Sequence, residues 1–389
     1  MQKRFTPDAG GVFPEWEEKT IEEACNVNVS NGTPGDKFIY IELGDVNMYG
    51  LLKRKNLVRK NEAPVSAKRV AKIDDVFFRS VRPGNKGHFH YTNEMSEQVV
   101  MSSAFFQLSM KDGDNEFLYQ TLNTQYFTKQ VLTRCTGTTY PTISLNEFIK
   151  LKIKIPKSME EQRKIAAALA AYDEMIAVKT AKLETWQECK KRMVKEIFGR
   201  TKRFRDDDGN EFPEWEEKML GEVCKYGNTH KTGKNYINVE NMNKDFSGVT
   251  FLEPSLERKG IVYYVGDVLM SNIRPYLRKA WLADRSGICD SDVLVFHLKD
   301  GVDIDSTFLY YTIASSELVK WAMIGARGTK MPRCDKQHLM EKRIFLPCKE
   351  EQQKIGSFLA EIDKEIEIQK EFIKTYAEGK KRMMRELME

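Results

Sequence analysis

The sequence predicts an α+β protein in which two mixed α/β globular domains alternate with two long helices that pair as a coiled coil. Three observations carry this. One set of segments is written twice in the same order, each copy opens with short β-rich runs punctuated by turn residues, and each copy closes on an apolar pattern of period 3.5.

The duplication is explicit. KRFTPDAGGVFPEWEEK (Lys3 to Lys19) returns as KRFRDDDGNEFPEWEEK (Lys202 to Lys218), 199 positions later, with twelve of seventeen residues identical. DDVFFRSVRP (Asp74 to Pro83) answers GDVLMSNIRP (Gly266 to Pro275), and GTTYP (Gly137 to Pro141) answers GTKMP (Gly328 to Pro332). EEQRKI (Glu160 to Ile165) answers EEQQKI (Glu350 to Ile355) at an offset of 190, so the offset drifts by only nine residues. The resulting plan is a short frame segment (1–19, repeated as 201–218), a variable domain (20–155 and 219–347) and a long helix (156–200 and 348–389). The variable domains share little sequence beyond these segments, which predicts one framework carrying two different specificities. Runs such as Lys37 to Ile41 and Ile261 to Val265 read as their strands.

The helices are predicted from spacing. Ile165, Leu169, Tyr172, Ile176, Lys179, Leu183, Trp186, Lys190, Met193 and Ile197 step by 4 and 3 in alternation. Ile355, Leu359, Ile362, Ile366, Gln369, Ile373, Tyr376, Lys380, Met383 and Leu387 repeat the pattern. An average step of 3.5 is the seam of a coiled coil, and a stripe this narrow needs a partner, for which each helix suits the other. The polar interruptions Lys179/Gln369 and Lys190/Lys380 fall at matching places. At ~1.5 Å per residue each helix would be about 60 Å long. Ser158 and Glu161 read as a capping box after Pro156, and Gly199 as the stop. The second helix follows Pro347 without the serine.

Composition narrows the class. Lys plus Arg total 62 against 57 Asp plus Glu, a net charge of +5, so any basic footprint must be local. Hydrophobic residues at 41% and charged residues at 31% describe a globular chain. No stretch approaches the length of an apolar membrane span. Seven cysteines without a C-x-x-C pair fit a reducing cytoplasm, which leaves the sequons at Asn28 and Asn31 without consequence.

The alternation of variable domain and long helix resembles the specificity subunit of type I restriction–modification systems. The residues that carry the resemblance are the proline followed by Glu-Gln and Lys-Ile at each helix start (Pro156 to Ile165, Pro347 to Ile355), FPEWEEK before each domain, and the GDVL-type and G-T-x-x-P segments within them. It covers essentially the whole chain. The resemblance implies two target-recognition domains held apart by an antiparallel helix pair, each reading one half of an asymmetric bipartite DNA site, with helix length setting the spacer. It implies modification subunits that methylate adenine with S-adenosylmethionine, and restriction subunits that add ATP- and Mg-dependent translocation and cleavage. The chain itself would bind no cofactor or metal and perform no catalysis. The repeat order further predicts that Lys3 to Lys19 packs near the end of the second helix, with Phe5 close to Met384.

DNA contacts are expected where cations and amide side chains sit on stiff loops. Residues 51–72 carry Lys53, Arg54, Lys55, Arg59, Lys60, Lys68, Arg69 and Lys72 against the single acid Glu62, a phosphate-tracking stretch or else a solvated charged face. Arg79, Arg82, Asn85, Lys86, His88 and His90 flank Pro83–Gly84, and Asn272, Arg274, Tyr276, Arg278 and Lys279 occupy the matching place. A later loop offers Arg134, Thr136, Thr138, Thr139 and Tyr140, answered by Arg327, Thr329, Lys330 and Arg333. Ordinary surface loops are the alternative reading of all four.

Enzyme motifs fail on inspection. Gly227 to Lys234 has five residues between its glycines where a Walker loop has four, and reads as a turn. Asp206, Asp208, Asn210 and Glu217 imitate a calcium loop, but Glu211 stands at its glycine position. The histidines and cysteines lack zinc spacing, and Asp112, Asp114 and Glu116 read as a polar hairpin turn. A coiled-coil interaction scaffold that does not read DNA is the competing class. Two different variable domains on one repeated frame favour the reader. A self-contained nuclease lacks its metal-binding carboxylates.

Overall fold

The structure, a computed structural model, describes residues 4–29, 32–251 and 257–389; Lys3, which opens the first frame segment, and the sequon residue Asn31 lie outside them. The chain forms two compact units, Met1–Lys182 with Gln369–Glu389, and Leu183–Ile368. Each therefore owns one variable domain, half of one long helix and the opposite half of the other.

In the first unit, Glu17–Thr20 pairs antiparallel with Lys152–Ile155 and ties the frame segment to the strand that leads into the long helix. A four-stranded sheet orders Cys25–Val27, Phe105–Met110, Val76–Arg79 and Phe89–His90. A second orders Asn56–Arg59, Lys37–Ile41, Val99–Ser102 and Ala67–Val70, with the middle pair parallel. Helices Asn115–Leu122 and Gln125–Thr133 cover the first sheet's core, each started by an N-cap side chain, Asp114 and Thr124.

The second unit repeats the plan. Glu216–Met219 pairs with Arg343–Leu346, and a four-stranded sheet orders Cys224–Tyr226, Val293–Leu298, Val268–Ser271 and Ala280–Leu282. Helices Ser306–Ile313 and Ser316–Ile324 follow. The copies diverge at the remaining sheet, which here has three antiparallel strands, His230–Gly233, Arg258–Tyr263 and Gly287–Cys289.

The long helices run Met159–Phe198 and Lys349–Met388. Every seam residue named above is buried or half-buried. Within each unit the start of one helix lies beside the end of the other, so the pairing there is antiparallel: Tyr172 packs against Gly379 and Lys179 lies over Phe372 in the first unit. The helices also complete the domain cores. Ile165, Leu169, Met384, Leu387 and Met388 join Phe117, Leu118 and Phe148 in one cluster, against which Phe5 packs. Met193, Ile197, Ile355, Leu359 and Ile362 do the same with Phe308 and Leu309. Phe5 and Met384 thus share a core, as the repeat order predicts.

The frame motifs act as buried staples. Glu161 and Glu351 are 0% exposed. Arg4 grips both oxygens of Glu161 at 2.9 Å, and Arg203 reaches those of Glu351 at 2.9 and 3.4 Å. The next residue, Gln162 or Gln352, donates to the carbonyl of Pro156 or Pro347 at 2.8 Å and accepts the amide of Asp114 or Asp305.

Several expectations change. Glu161 serves Arg4 rather than a cap at Ser158. The first helix ends at Phe198, and the left-handed residue beyond it is Arg200 (φ 56°), whose guanidinium covers Phe345, rather than Gly199. Asp112 to Glu116 is a strand-to-helix junction and not a hairpin, because Asp114 caps the helix and Glu116 binds His90. Within Gly227 to Lys234 the run His230–Gly233 is a strand. Asp206 closes an Asx turn by accepting the amides of Asp208 and Asn210.

Candidate nucleic-acid interface

Each unit builds one platform from two loops that are distant in sequence. After the strand Val76–Arg79 the chain reaches Arg82 in the left-handed region (φ 48°), and Pro83 then opens a 3-10 turn. The Arg82 amide donates to the carbonyl of Pro141 at 2.7 Å, joining this turn to the Gly137–Pro141 hairpin. Arg274 (φ 50°) precedes Pro275 in the same way and donates to Pro332 at 2.7 Å. Isolated bridges Val81↔Thr142 and Ile273↔Arg333 fasten the same seam in each copy. Left-handed backbone at a non-glycine residue costs about 1–2 kcal/mol, and here a fixed proline and two loops hold it.

The side chains carried by this shared backbone differ. Arg82 stacks on Tyr140 at 4.0 Å and donates to the Thr139 carbonyl at 3.2 Å. In the second unit Met331 replaces Tyr140, and Arg333 forks onto Asp292 at 2.5 and 3.2 Å. Arg327 pairs with Asp335 at 2.7 Å. Thr138, Thr139, Tyr140, Asn85, Tyr276, Thr329 and Lys330 are exposed on these loops.

Other residues named from sequence are taken up by the fold. His88 is 2% exposed, stacked on Phe78 at 4.3 Å and accepting the Arg79 amide. Burial holds its basicity well below that of a free imidazole, so it is a core residue and not a base contact. Lys86 donates to the Asn123 carbonyl at 2.9 Å and to Thr128, and burial pushes it down to about 8. Lys279 donates to the Val239 carbonyl at 2.7 Å, and Arg278 lies over Phe246. Asn272 is only 6% exposed. The Arg79 guanidinium is held by the carbonyls of Val81 and Leu43. These six shape the platform from beneath.

The type I restriction modification DNA specificity domain matches this chain twice, over residues 14–185 and 213–375. The chain belongs to that family. It is similar to the type I restriction enzyme MjaVIII specificity subunit of Methanocaldococcus jannaschii, 26% identical over 317 residues that cover 76% of this chain and 74% of that subunit. The fold is that of the type-I restriction-modification system S subunit from M. genitalium, with a TM-score of 0.60 at 15% identity over 99% of both chains. It is also that of a chain from a study of complex assembly and conformational transition of the type I R-M system, with a TM-score of 0.52 at 20% identity over 97% and 98%.

In this family member the basic stretch 51–72 lies on the sheet that differs between the copies. Asn56–Arg59 and Ala67–Val70 are its two edge strands, and Lys53, Arg54, Lys55, Arg59, Lys60, Lys68 and Lys72 are exposed around them. Sequence reasoning missed the acids that hold the platform arginines, Asp292 and Asp335. It also missed the cluster in which His90 faces Glu116 at 2.7 Å and Asp74 at 2.8 Å. Burial opposes protonation of His90, but the two carboxylates outweigh it and raise its pKa. The second unit has a histidine–acid contact at a different place, His297 on the strand Val293–Leu298 to Asp267 at 2.7 Å. Asp74 is matched by Gly266 in the duplicated segment, so the repeat carried no signal of the His90 cluster. Among the described residues no group of His, Cys, Asp and Glu could hold a metal ion, and no helix is long and apolar enough to cross a membrane.

Proposed function

We propose that this chain is the DNA-reading, non-catalytic specificity subunit of a type I restriction–modification complex working in the cytoplasm. Each unit reads one half of an asymmetric bipartite duplex site, and the long helices set the unread spacer. The observation that carries this reading is the platform built twice from the same hydrogen bonds but surfaced with different side chains, Tyr140 against Met331 and Thr139 against Lys330. A constant backbone with exchangeable donors is what base readout by different words requires. The exposed cations of residues 53–72 supply phosphate contacts to the first half-site.

The repeated frame offers near-identical surfaces to two copies of one modification subunit. That subunit would bring S-adenosylmethionine and methylate adenine. Restriction subunits would bring ATP and Mg. Coexpression with the cognate modification subunit in a methylation-free host, followed by sequencing of modified bases, should give a split adenine-methylated motif. Exchanging residues 20–155 for those of another family member should rewrite one half of the motif alone. A complex that selects no sequence from a random duplex pool would instead leave the chain a protein scaffold.

A further inference from the structure

The first unit contains a cavity of about 450 Å³ lined by Tyr49, Lys86, Tyr119, Ala377, Lys381 and Arg385, among others. Its wall is mostly apolar, and its charges are unbalanced. Of the acids at its edge, Asp173 is occupied by Lys380 at 2.6 Å, and the Glu389 carboxylate accepts the Tyr126 amide. Lys86, mostly buried, is met by carbonyls and a hydroxyl. Lys381 and Arg385 are exposed at the rim, with no carboxylate within ion-pair distance among the described residues. The Glu389 charge supports the buried Lys86 ammonium while Lys380 and Lys381 oppose it, so cations outnumber acids around the cavity and an anion would redress the balance.

The duplicated unit shows what fits there. Tyr119 donates to the carbonyl of Tyr49, and its counterpart Tyr310 donates to that of Phe246. The counterpart of Lys86 is Arg278, whose guanidinium lies 5.0 Å from the Phe246 ring. The turn between Asn47 and Gly50 has two intervening residues, whereas that between Asn243 and Gly248 has four. Phe246 sits on this extra length in a left-handed conformation (φ 58°), and its ring joins the core with Tyr310 and Leu309. The second unit thus packs a phenyl ring, under a cation, from the turn whose counterpart in the first unit borders the cavity.

We infer that the first unit is a binding site for a small aromatic anion, its ring lying between Tyr49 and Tyr119 where Phe246 lies in the other copy, and its carboxylate, phosphate or sulfonate facing Lys86, Lys381 and Arg385. The site is single per chain, so it breaks the equivalence of the two repeats. It is independent of the DNA reading proposed above.

Calorimetric titration of the full chain with naphthalene-2-carboxylate tests this, with naphthalene-2-carboxamide as the uncharged control. The carboxylate should bind saturably at one site per chain and more tightly than the amide. The double variant Lys381→Gln/Arg385→Gln, both exposed, should weaken the carboxylate by about tenfold or more and leave the amide unchanged. Replacing Met48–Tyr49 by the sequence of residues 244–247 grafts the phenyl-bearing turn and should abolish binding of both, with a retained thermal transition as the check on folding. Absence of saturable binding, two equivalent sites per chain, or a carboxylate affinity untouched by the double variant would overturn the inference.

Discussion

Lys380 places its ammonium 2.6 Å from both carboxylate oxygens of Asp173, and in the other unit Lys190 meets Asp363 at 2.5 Å. Each lysine interrupts an apolar seam, and each finds its acid on the facing helix. A domain side chain completes either pair: Gln120 donates to Asp173 and Tyr311 to Asp363, both at 2.7 Å. Removing one partner of a fully buried pair costs about 3–5 kcal/mol. These pairs keep some solvent contact, so Lys380→Met should cost about 2 kcal/mol, and adding Asp173→Asn should recover part of it. Urea denaturation of the two variants checks this; a single substitution without loss would remove the pair from the stability of the first unit.

The frame staples differ in the hydrogen bond of their tryptophan. Trp215 donates its indole N–H to Glu351 at 2.9 Å, whereas the buried indole N–H of Trp16 meets no acceptor among the described residues. Both rings pack edge-on against a core phenylalanine, Phe308 and Phe117. Trp215→Phe should therefore cost about 1.5–3 kcal/mol more than Trp16→Phe, the worth of a hydrogen bond to a buried charge. Equal losses in thermal melts would contradict the assignment.

Arg82 and Arg274 each carry a side chain proposed to meet DNA on a backbone that glycine would adopt freely. Arg82→Gly and Arg82→Ala should weaken duplex binding alike and lower the slope of log K against log salt by about one phosphate equivalent. The glycine variant should be the more stable of the two, by about 1 kcal/mol, because arginine and alanine both occupy the left-handed region at a cost that glycine escapes. Binding with an unchanged salt slope in both variants, and in the matching pair at Arg274, would exclude the role.

His90 gives the first unit a pH signature. Its pKa in the folded state lies above that of a free imidazole, because Glu116 and Asp74 outweigh the burial that opposes its charge. The stabilisation is then fully present below about pH 6.5 and fades as pH rises through the raised value. The gap in melting temperature between wild type and His90→Asn should be widest in mildly acid buffer and narrow toward alkaline pH. A gap that widens with pH would show a neutral imidazole instead.

The periodic and repeated parts of this fold were legible in the sequence because they are local. Alternating steps from Ile165 to Ile197 required a facing helix, and the double EEQ motif marked both helix starts. What could not be read was pairing over distance. No local pattern joins Arg82 to Pro141 across the loop between them, or aligns Lys37–Ile41 parallel to Val99–Ser102. Nor does spacing reveal that His88 turns inward onto Phe78 while Asn85, three residues earlier, stays outside. The candidate loops were thus found, but the division of their residues into exposed donors and buried supports needed the packing.

The interleaved make-up of the units has a consequence for biosynthesis. A chain leaving the ribosome has all of Leu183–Ile368 in hand before the first unit receives Met384, Leu387 and Met388 for its core. The domain translated first is the one completed last. Until then its apolar face, with Ile165 and Leu169 lacking their cover, is the surface that chaperones and proteases would meet.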